Sequence, residues 1–215
     1  MNDFFKRYDY LFFDFDGVIV DSVDIKTKAF AKLFEEYGKD VVRKVIEYHI
    51  QHTGISRYEK FRYYYQNYLN KNITEEEIKI LDKKFSEFVY GEILKAPFIP
   101  GVIDFLNTCY SSKKTMFIVS ATPQEEIKNI IREKKITNYF KHILGSPLTK
   151  EENVKYLIIK YNINPLKAVY FGDSPSDKKA AEKNNIFFIP INYSQENIGF
   201  KDFNKLITHL SIKNA

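Results

Sequence analysis

The chain has 215 residues, 44% of them hydrophobic, with a formal net charge of +5 and a single cysteine, Cys109. That is enough chain for one core with an inserted subdomain, and one cysteine excludes an intrachain disulfide or a cysteine-built metal site. Lysines and arginines are scattered rather than blocked, and no apolar run approaches the ~18 residues of a membrane span, so a nucleic-acid tail and a membrane anchor are not expected. The opening residues MNDFFKRYDY lack a secretory pattern, so a cytoplasmic location is expected.

The first predicted strand covers residues 10–14 (YLFFD). Roughly a hundred residues separate it from the next strand, far more than a crossover helix needs. The gap has helical spacing over residues 25–37, 41–52, 57–69 and 75–94, with Thr74 as a helix start. This predicts an inserted helical subdomain over residues 22–95, with residues 1–21 and 96–215 forming the core. His49 and His52 stand at i, i+3 with no third ligand nearby in sequence, which reads as structural. The basic and aromatic run from Arg57 to Tyr65 reads as a helix with an apolar face and a solvated basic face. Cys109 reads as a small buried hydrophobe.

Four further strands are predicted over residues 115–120, 142–145, 168–172 and 186–191, with helices between them such as 125–134 and 151–161. Near-continuously apolar strands alternating with helices predict a doubly wound parallel sheet covered on both faces. Residues after 191 are expected to form a loop and a last helix over the sheet edge. Three helix starts follow strands: Thr122-Pro123-Gln124-Glu125, Thr149-Lys150-Glu151-Glu152 and Ser174-Pro175-Ser176-Asp177. Each has the capping pattern. They share the carboxyl edge of the sheet, where free N–H groups favour an anion such as phosphate.

The acids lie at the same edge. The first strand runs into Asp14-Phe15-Asp16-Gly17 and the fourth into Gly172-Asp173-Ser174-Pro175-Ser176-Asp177. Side chains at i and i+2 of an extended chain face one way, which aims Asp14 and Asp16 at the site. Four convergent carboxylates repel and are expected to shift upward in pKa unless a cation joins them. Oxygen-only ligands suit a hard ion, and Mg²⁺ is the usual partner of a phosphate. Ser120 can donate to a phosphoryl oxygen, and Lys150 can supply positive charge. A nucleophilic carboxylate, a neighbouring acid, a metal and such donors are what phosphoryl transfer requires.

The order DFDGV, VSAT, Lys150, GDSPSD resembles the haloacid dehalogenase-like hydrolase superfamily, from about residue 10 to residue 191. The insertion after DFDGV is similar to that family's small helical cap on a Rossmann-like core. The resemblance implies that Asp14 attacks phosphorus and that Asp16 protonates the leaving group and then activates water. It implies phosphate binding by Ser120, Ala121 and Lys150. The implied metal residues are Asp14, Asp16 through its backbone carbonyl, Asp173 and Asp177, the last holding the ion or orienting a bound water and Lys150. The turn Gly54-Ile55-Ser56-Arg57 falls where related enzymes place a loop over the site, making Arg57 a candidate substrate contact. Family dehalogenases lack the second aspartate, so Asp16 favours phosphate esters. The expected activity is that of a Mg²⁺-dependent phosphatase for a small phosphorylated metabolite. Alternatives are a sugar phosphomutase and, from another class, a non-enzymatic phospho-receiver or binding module.

Overall fold

A computed structural model describes residues 2–192 and 199–212. Five parallel strands form one sheet in the order β3-β2-β1-β4-β5. They are β1 (Tyr10–Phe13), β2 (Thr115–Pro123), β3 (Phe140–Ser146), β4 (Ala168–Gly172) and β5 (Phe187–Pro190). The order reverses direction between β1 and β4, the pair whose carboxyl ends carry the two aspartate motifs. That crevice is where open α/β sheets bind ligands.

Strand residues alternate between two cores, as a period of two requires. Leu11, Phe13, Met116, Ile118, Val169 and Phe171 face one core. Phe12, Phe117, Val119, Ala168 and Tyr170 face the other. The first is covered by α1 (Asn2–Arg7), α6 (Val102–Ser111), α7 (Gln124–Glu133) and α10 (Phe203–Ile212), through Phe4, Phe105, Ile127 and Phe203. The second is covered by α8 (Lys150–Tyr161) and α9 (Pro175–Lys183), through Val154, Leu157 and Ala180. Both faces are buried, which explains why the strands read as unbroken apolar runs.

Between β1 and α6 lie four helices, α2 (Val23–Leu33), α3 (Lys39–Gln51), α4 (Arg57–Tyr68) and α5 (Glu75–Lys95). Phe30, Phe61, Tyr64, Phe85 and Val89 form their common interior. Thr74 opens α5 with a reciprocal capping box to Glu77.

Several boundaries differ from expectation. Helix α2 ends at Leu33 and a short 3-10 turn continues to Tyr37. Strand β2 runs on to Pro123, which pairs with Ser146 across a register shift. Thr122 is therefore a strand residue, and α7 starts after Pro123 without a side-chain cap. Helices α1 and α6 are additions to the expected set. Helix α10 covers the face of the sheet rather than its edge, because Phe203 and Leu206 point into the core; Phe203 lies 5.1 Å from the Phe105 ring. Residues 193–198 of the expected C-terminal loop lie outside the described residues. No helix is long and apolar enough to cross a membrane among the described residues.

Candidate active site

Asp14 follows the last residue of β1, and its N–H still bonds the carbonyl of Phe171 on β4 at 3.0 Å. The ladder thus fixes the backbone of Asp14 at the sheet edge, and its side chain is 3% exposed. Its Oδ1 accepts from the Phe15 N–H at 2.7 Å, and its Oδ2 accepts from Lys150 Nζ at 2.7 Å.

Lys150 is the first residue of α8, fixed there by a reciprocal capping box between Thr149 and Glu152. The buried ammonium also reaches Asp177 Oδ1 at 2.7 Å. The other oxygen of Asp177 accepts from the Ser174 N–H at 3.1 Å and its hydroxyl at 2.5 Å, capping α9. One carboxylate therefore serves as helix cap and lysine anchor at once.

Carboxylate oxygens of Asp14, Asp173 and Asp177 lie within 4.8 Å of one another. Gly17 makes room for this cluster: its φ is +78°, and a Cβ there would sit 2.1 Å from Asp173 Oδ2. An all-oxygen, densely negative cradle fits a hard divalent cation. Burial, and next the charge of Asp177, push Asp14 up to about 7 despite Lys150. Burial and the charges of Asp14 and Asp177 push Asp173 well above the carboxylate range. For the same electrostatic reason, the opposing charges of Asp14 and Asp177 raise Lys150 in spite of its burial.

Asp16 behaves differently from the expected upward shift. Burial pushes it up, but the Lys26 ammonium and the hydroxyls of Ser22 and Thr122 outweigh burial and hold it below its ordinary value. Lys26, on α2, donates to Asp16 Oδ2 and, at 2.8 Å, to Thr122 Oγ1. Ser22 donates to Asp16 Oδ1 at 2.6 Å, and Thr122 donates to Oδ2 at 3.1 Å. The Asp16 side chain is thus tied to the cap, apart from the acidic cluster, although both aspartates line one cleft.

That cleft has a volume of about 60 Å³. Asp14, Asp16, Asp173, Lys150, Ala121 and Thr122 line its core side, and Lys26, Phe30, His49, Gly54, Arg57, Lys60 and Phe85 its cap side. Ser120 is not among the lining residues. Its buried hydroxyl accepts from the Thr122 N–H at 3.1 Å. Gly54 brings the cap loop directly onto α9: a Cβ there would lie 2.0 Å from Ser176 Oγ and 2.4 Å from Ser174 Oγ.

The expected solvated basic face of α4 is absent at its first turn. Arg57 and Lys60 are 6% and 2% exposed. Arg57 is paired with Asp82 at 2.6 Å and with Glu126 of α7 at 2.6 Å, and donates to Ser86 at 2.9 Å. The partly buried carboxylates of Asp82 and Glu126 hold it inward, because a buried guanidinium needs partners. Lys60 Nζ lies 2.8 Å from His49 Nδ1. His52 instead turns to the Tyr48 carbonyl at 2.9 Å, so the two histidines share no site. Burial raises the Cys109 thiol. The residues that sequence reasoning missed are Ser22, Lys26, His49, Lys60 and Thr122. The cap delivers all but Thr122, which the sequence offered as a helix cap and the structure turns to Asp16 instead.

A family model described as haloacid dehalogenase-like hydrolase matches residues 11–191. The "phosphorylated carbohydrates phosphatase" of Thermotoga maritima is 27% identical over 179 residues, covering 81% of this chain and 80% of that protein. "Phosphoglycolate phosphatase 1" of Pseudomonas aeruginosa is 24% identical over 192 residues, covering 79% of this chain and 64% of its own length. Among solved structures, a β-phosphoglucomutase from Clostridium difficile superposes with a TM-score of 0.78 at 22% identity, covering 96% of each chain; that likeness is one of fold.

Proposed function

The chain belongs to the haloacid dehalogenase-like hydrolase family, and we propose that it is a Mg²⁺-dependent phosphatase that cleaves a small phosphomonoester through an aspartyl-phosphate on Asp14. The observation that carries this reading is the Asp14 carboxylate itself. It is held between the Phe15 N–H and the Lys150 ammonium, at 2.7 Å each, with a second acid, Asp16, on the same cleft wall. Names of relatives that are phosphatases add support.

In this reading the ester's own phosphoryl proton passes to the Asp16 carboxylate, which the Lys26 ammonium and two hydroxyls keep ionised in the resting cleft. Asp14 Oδ attacks phosphorus, the bond to the leaving oxygen breaks, and Asp16 gives that oxygen the proton. The Asp16 carboxylate then takes a proton from water, the water oxygen attacks phosphorus, and the bond to Asp14 breaks to release phosphate. Lys150 offsets charge on the phosphoryl oxygens and fixes Asp14 for in-line attack. Bound Mg²⁺, held by Asp14, Asp173, Asp177 and the Asp16 carbonyl, supplies further charge neutralisation. The cap shields the phosphoryl group from bulk water between the two steps. Ala121 of β2, which lines the cleft, contributes to phosphate binding, and Ser120, whose hydroxyl accepts from the Thr122 N–H, supports that stretch of the wall. The substrate-side role of Arg57 is to hold the cap wall in place rather than to meet the ligand, because its guanidinium is already engaged by Asp82 and Glu126.

The test is turnover of p-nitrophenyl phosphate with Mg²⁺, with EDTA, and by Asp14→Asn. Activity that requires Mg²⁺ and disappears in Asp14→Asn is expected. Absence of phosphate release from this ester and from a panel of metabolite phosphates would overturn the reading. It would favour transfer onto a sugar instead.

A further inference from the structure

The cap side of the cleft contains one cation that no carboxylate meets. Asp14 and Asp177 engage Lys150, Asp16 engages Lys26, and Asp82 and Glu126 engage Arg57. Among the described residues, no acid pairs with Lys60, although its side chain is 2% exposed and lines the cleft. Its ammonium rests 5.4 Å from the Phe30 ring and 2.8 Å from His49 Nδ1.

The His49 contact fixes a tautomer. Burial, with Lys60 and Lys26 adding to it, lowers His49 to about 2, so the ring is neutral. Its Nδ1 accepts from the Lys60 ammonium, which puts the ring proton on Nε2. That Nε2 is buried with no partner. A buried unpaired donor beside a buried ammonium without a counter-charge is costly unless something else completes it. Phe30 and Phe85, on the same wall of the cleft, offer it only apolar surface, and Lys26 adds a second cation rather than a counter-charge.

We propose that Lys60, oriented by His49, binds a carboxylate on the leaving-group end of the substrate, so that the preferred substrates are phosphomonoesters of short hydroxy acids. The inference rests on the phosphatase reading for its reaction, but its binding claim stands by itself. Asp14 on the core side and Lys60 on the cap side line one cleft of about 60 Å³, a space that favours a short leaving group beside the phosphoryl group. A carboxylate there meets the ammonium with a charge-assisted hydrogen bond and gives the buried charge its missing partner. A neutral alkyl or sugar ester leaves Lys60 unpaired, and a site built around a buried polar group discriminates strongly against a ligand lacking the matching one. Lys60 is lowered to about 7 by burial and by Lys26 and Lys150, which agrees with an ammonium short of counter-charge.

The experiment compares 2-phosphoglycolate with ethyl phosphate, which has the same length and no carboxylate. It measures kcat/KM in the wild type, Lys60→Met, Lys60→Gln and Lys60→Arg. The wild type is expected to prefer the carboxylated ester by about 10- to 100-fold. The preference ratio should collapse toward one in Lys60→Met and Lys60→Gln, chiefly through KM, and persist in part in Lys60→Arg. If Lys60→Met does not fold, Lys60→Gln removes the same charge and keeps the test. In parallel, equilibrium binding of 2-phosphoglycolate is measured by calorimetry in Asp14→Asn, alone and combined with Lys60→Gln. A dissociation constant at least 10-fold weaker in the double variant supports the site, and an unchanged one overturns it, whether or not the protein turns over any ester. Equal wild-type turnover of both esters overturns the substrate class while leaving the phosphatase reading intact. Failure to hydrolyse any ester, with binding that still depends on Lys60, overturns the phosphatase reading and keeps the carboxylate site.

Discussion

The guanidinium of Arg57, in the first turn of cap helix α4, meets the Glu126 carboxylate of core helix α7 at 2.6 Å, and both side chains are largely buried. Asp82 of α5 holds the same guanidinium from the cap side at 2.6 Å, and Ser86 bonds both Arg57 and Glu126. The network is a bolt between cap and core placed beside the cleft.

Breaking one member of such a network strands the other charges. Arg57→Met leaves Asp82 and Glu126 without their cation and is expected to cost about 3–5 kcal/mol of stability. Glu126→Gln leaves Arg57 with Asp82 and should cost less, about 1–3 kcal/mol. A double-mutant cycle by urea unfolding checks the coupling, which should reach about 1–3 kcal/mol. Additive effects of the two changes would show that the bolt carries no energy.

Lys60 predicts a pH dependence of folding. Burial, with Lys26 and Lys150 adding to it, lowers it from 10.5 to about 7 in the folded chain. Between those values the unfolded state binds more protons than the native state, so the stability difference must rise with pH across that window. The penalty is greatest below pH 7 and fades toward the unfolded pKa. Wild type minus Lys60→Met is therefore expected to climb by up to about 1.4 kcal/mol per pH unit between roughly pH 7 and 10. Subtracting the variant removes the contributions of the tyrosines and aspartates. Denaturant unfolding at four or five pH values measures it, and a flat difference would rule out the lowered ammonium.

Much of the site was legible because its parts are local. Asp14 and Asp16 follow one apolar strand, and Asp173 and Asp177 another. The caps at Thr149 and Ser174 reach only three residues, to Glu152 and Asp177, and both formed as read. Thr122 has the same local pattern but is held in β2 by the pairing of Pro123 with Ser146, a long-range contact that no window on the sequence contains. The partners of Asp16 were hidden for the same reason. Lys26 lies ten residues beyond it and Thr122 over a hundred, and only the docked cap unites all three. Arg57 and Lys60 looked like solvated charges because helical periodicity does not reveal that the buried face of α4 takes in both of them with Phe61 and Tyr64, leaving Glu59 and Arg62 to the exposed face.

Gly54 is expected to be intolerant of any side chain, for two separable reasons. Its φ of +78° strains an L residue, and a Cβ would sit 2.0 Å from Ser176 Oγ. Gly38 has a φ of +90° with nothing within 4 Å of its Cβ position, so Gly38→Ala reports strain alone. That strain should cost about 1–3 kcal/mol. Gly54→Ala should cost at least as much and also lift the cap loop from α9, lowering kcat/KM by roughly 10-fold or more. Thermal unfolding and turnover of p-nitrophenyl phosphate compare the two variants. Equal activity loss in both would detach the loop contact from catalysis.

The acidic cluster predicts that a divalent cation stabilises the fold. Carboxylate oxygens of Asp14, Asp173 and Asp177 lie within 4.8 Å of one another, and burial and mutual repulsion raise both Asp14 and Asp173. A cation binding only the native state relieves that repulsion and adds stability by mass action, about 2.7 kcal/mol at a hundredfold excess over its dissociation constant. Mg²⁺ should therefore raise the unfolding midpoint in a concentration-dependent way, and EDTA should reverse the gain. Asp173→Asn keeps the shape but removes one charge and one anionic ligand. Its apparent affinity for Mg²⁺ should fall by at least 10-fold while its midpoint without metal rises or holds, because repulsion in the empty cradle is relieved. Calorimetric titration of Mg²⁺ into both proteins, alongside melts with and without EDTA, reads the two effects independently of turnover. A midpoint insensitive to Mg²⁺ in the wild type would separate the cluster from metal binding and leave Lys150 as its sole counter-charge.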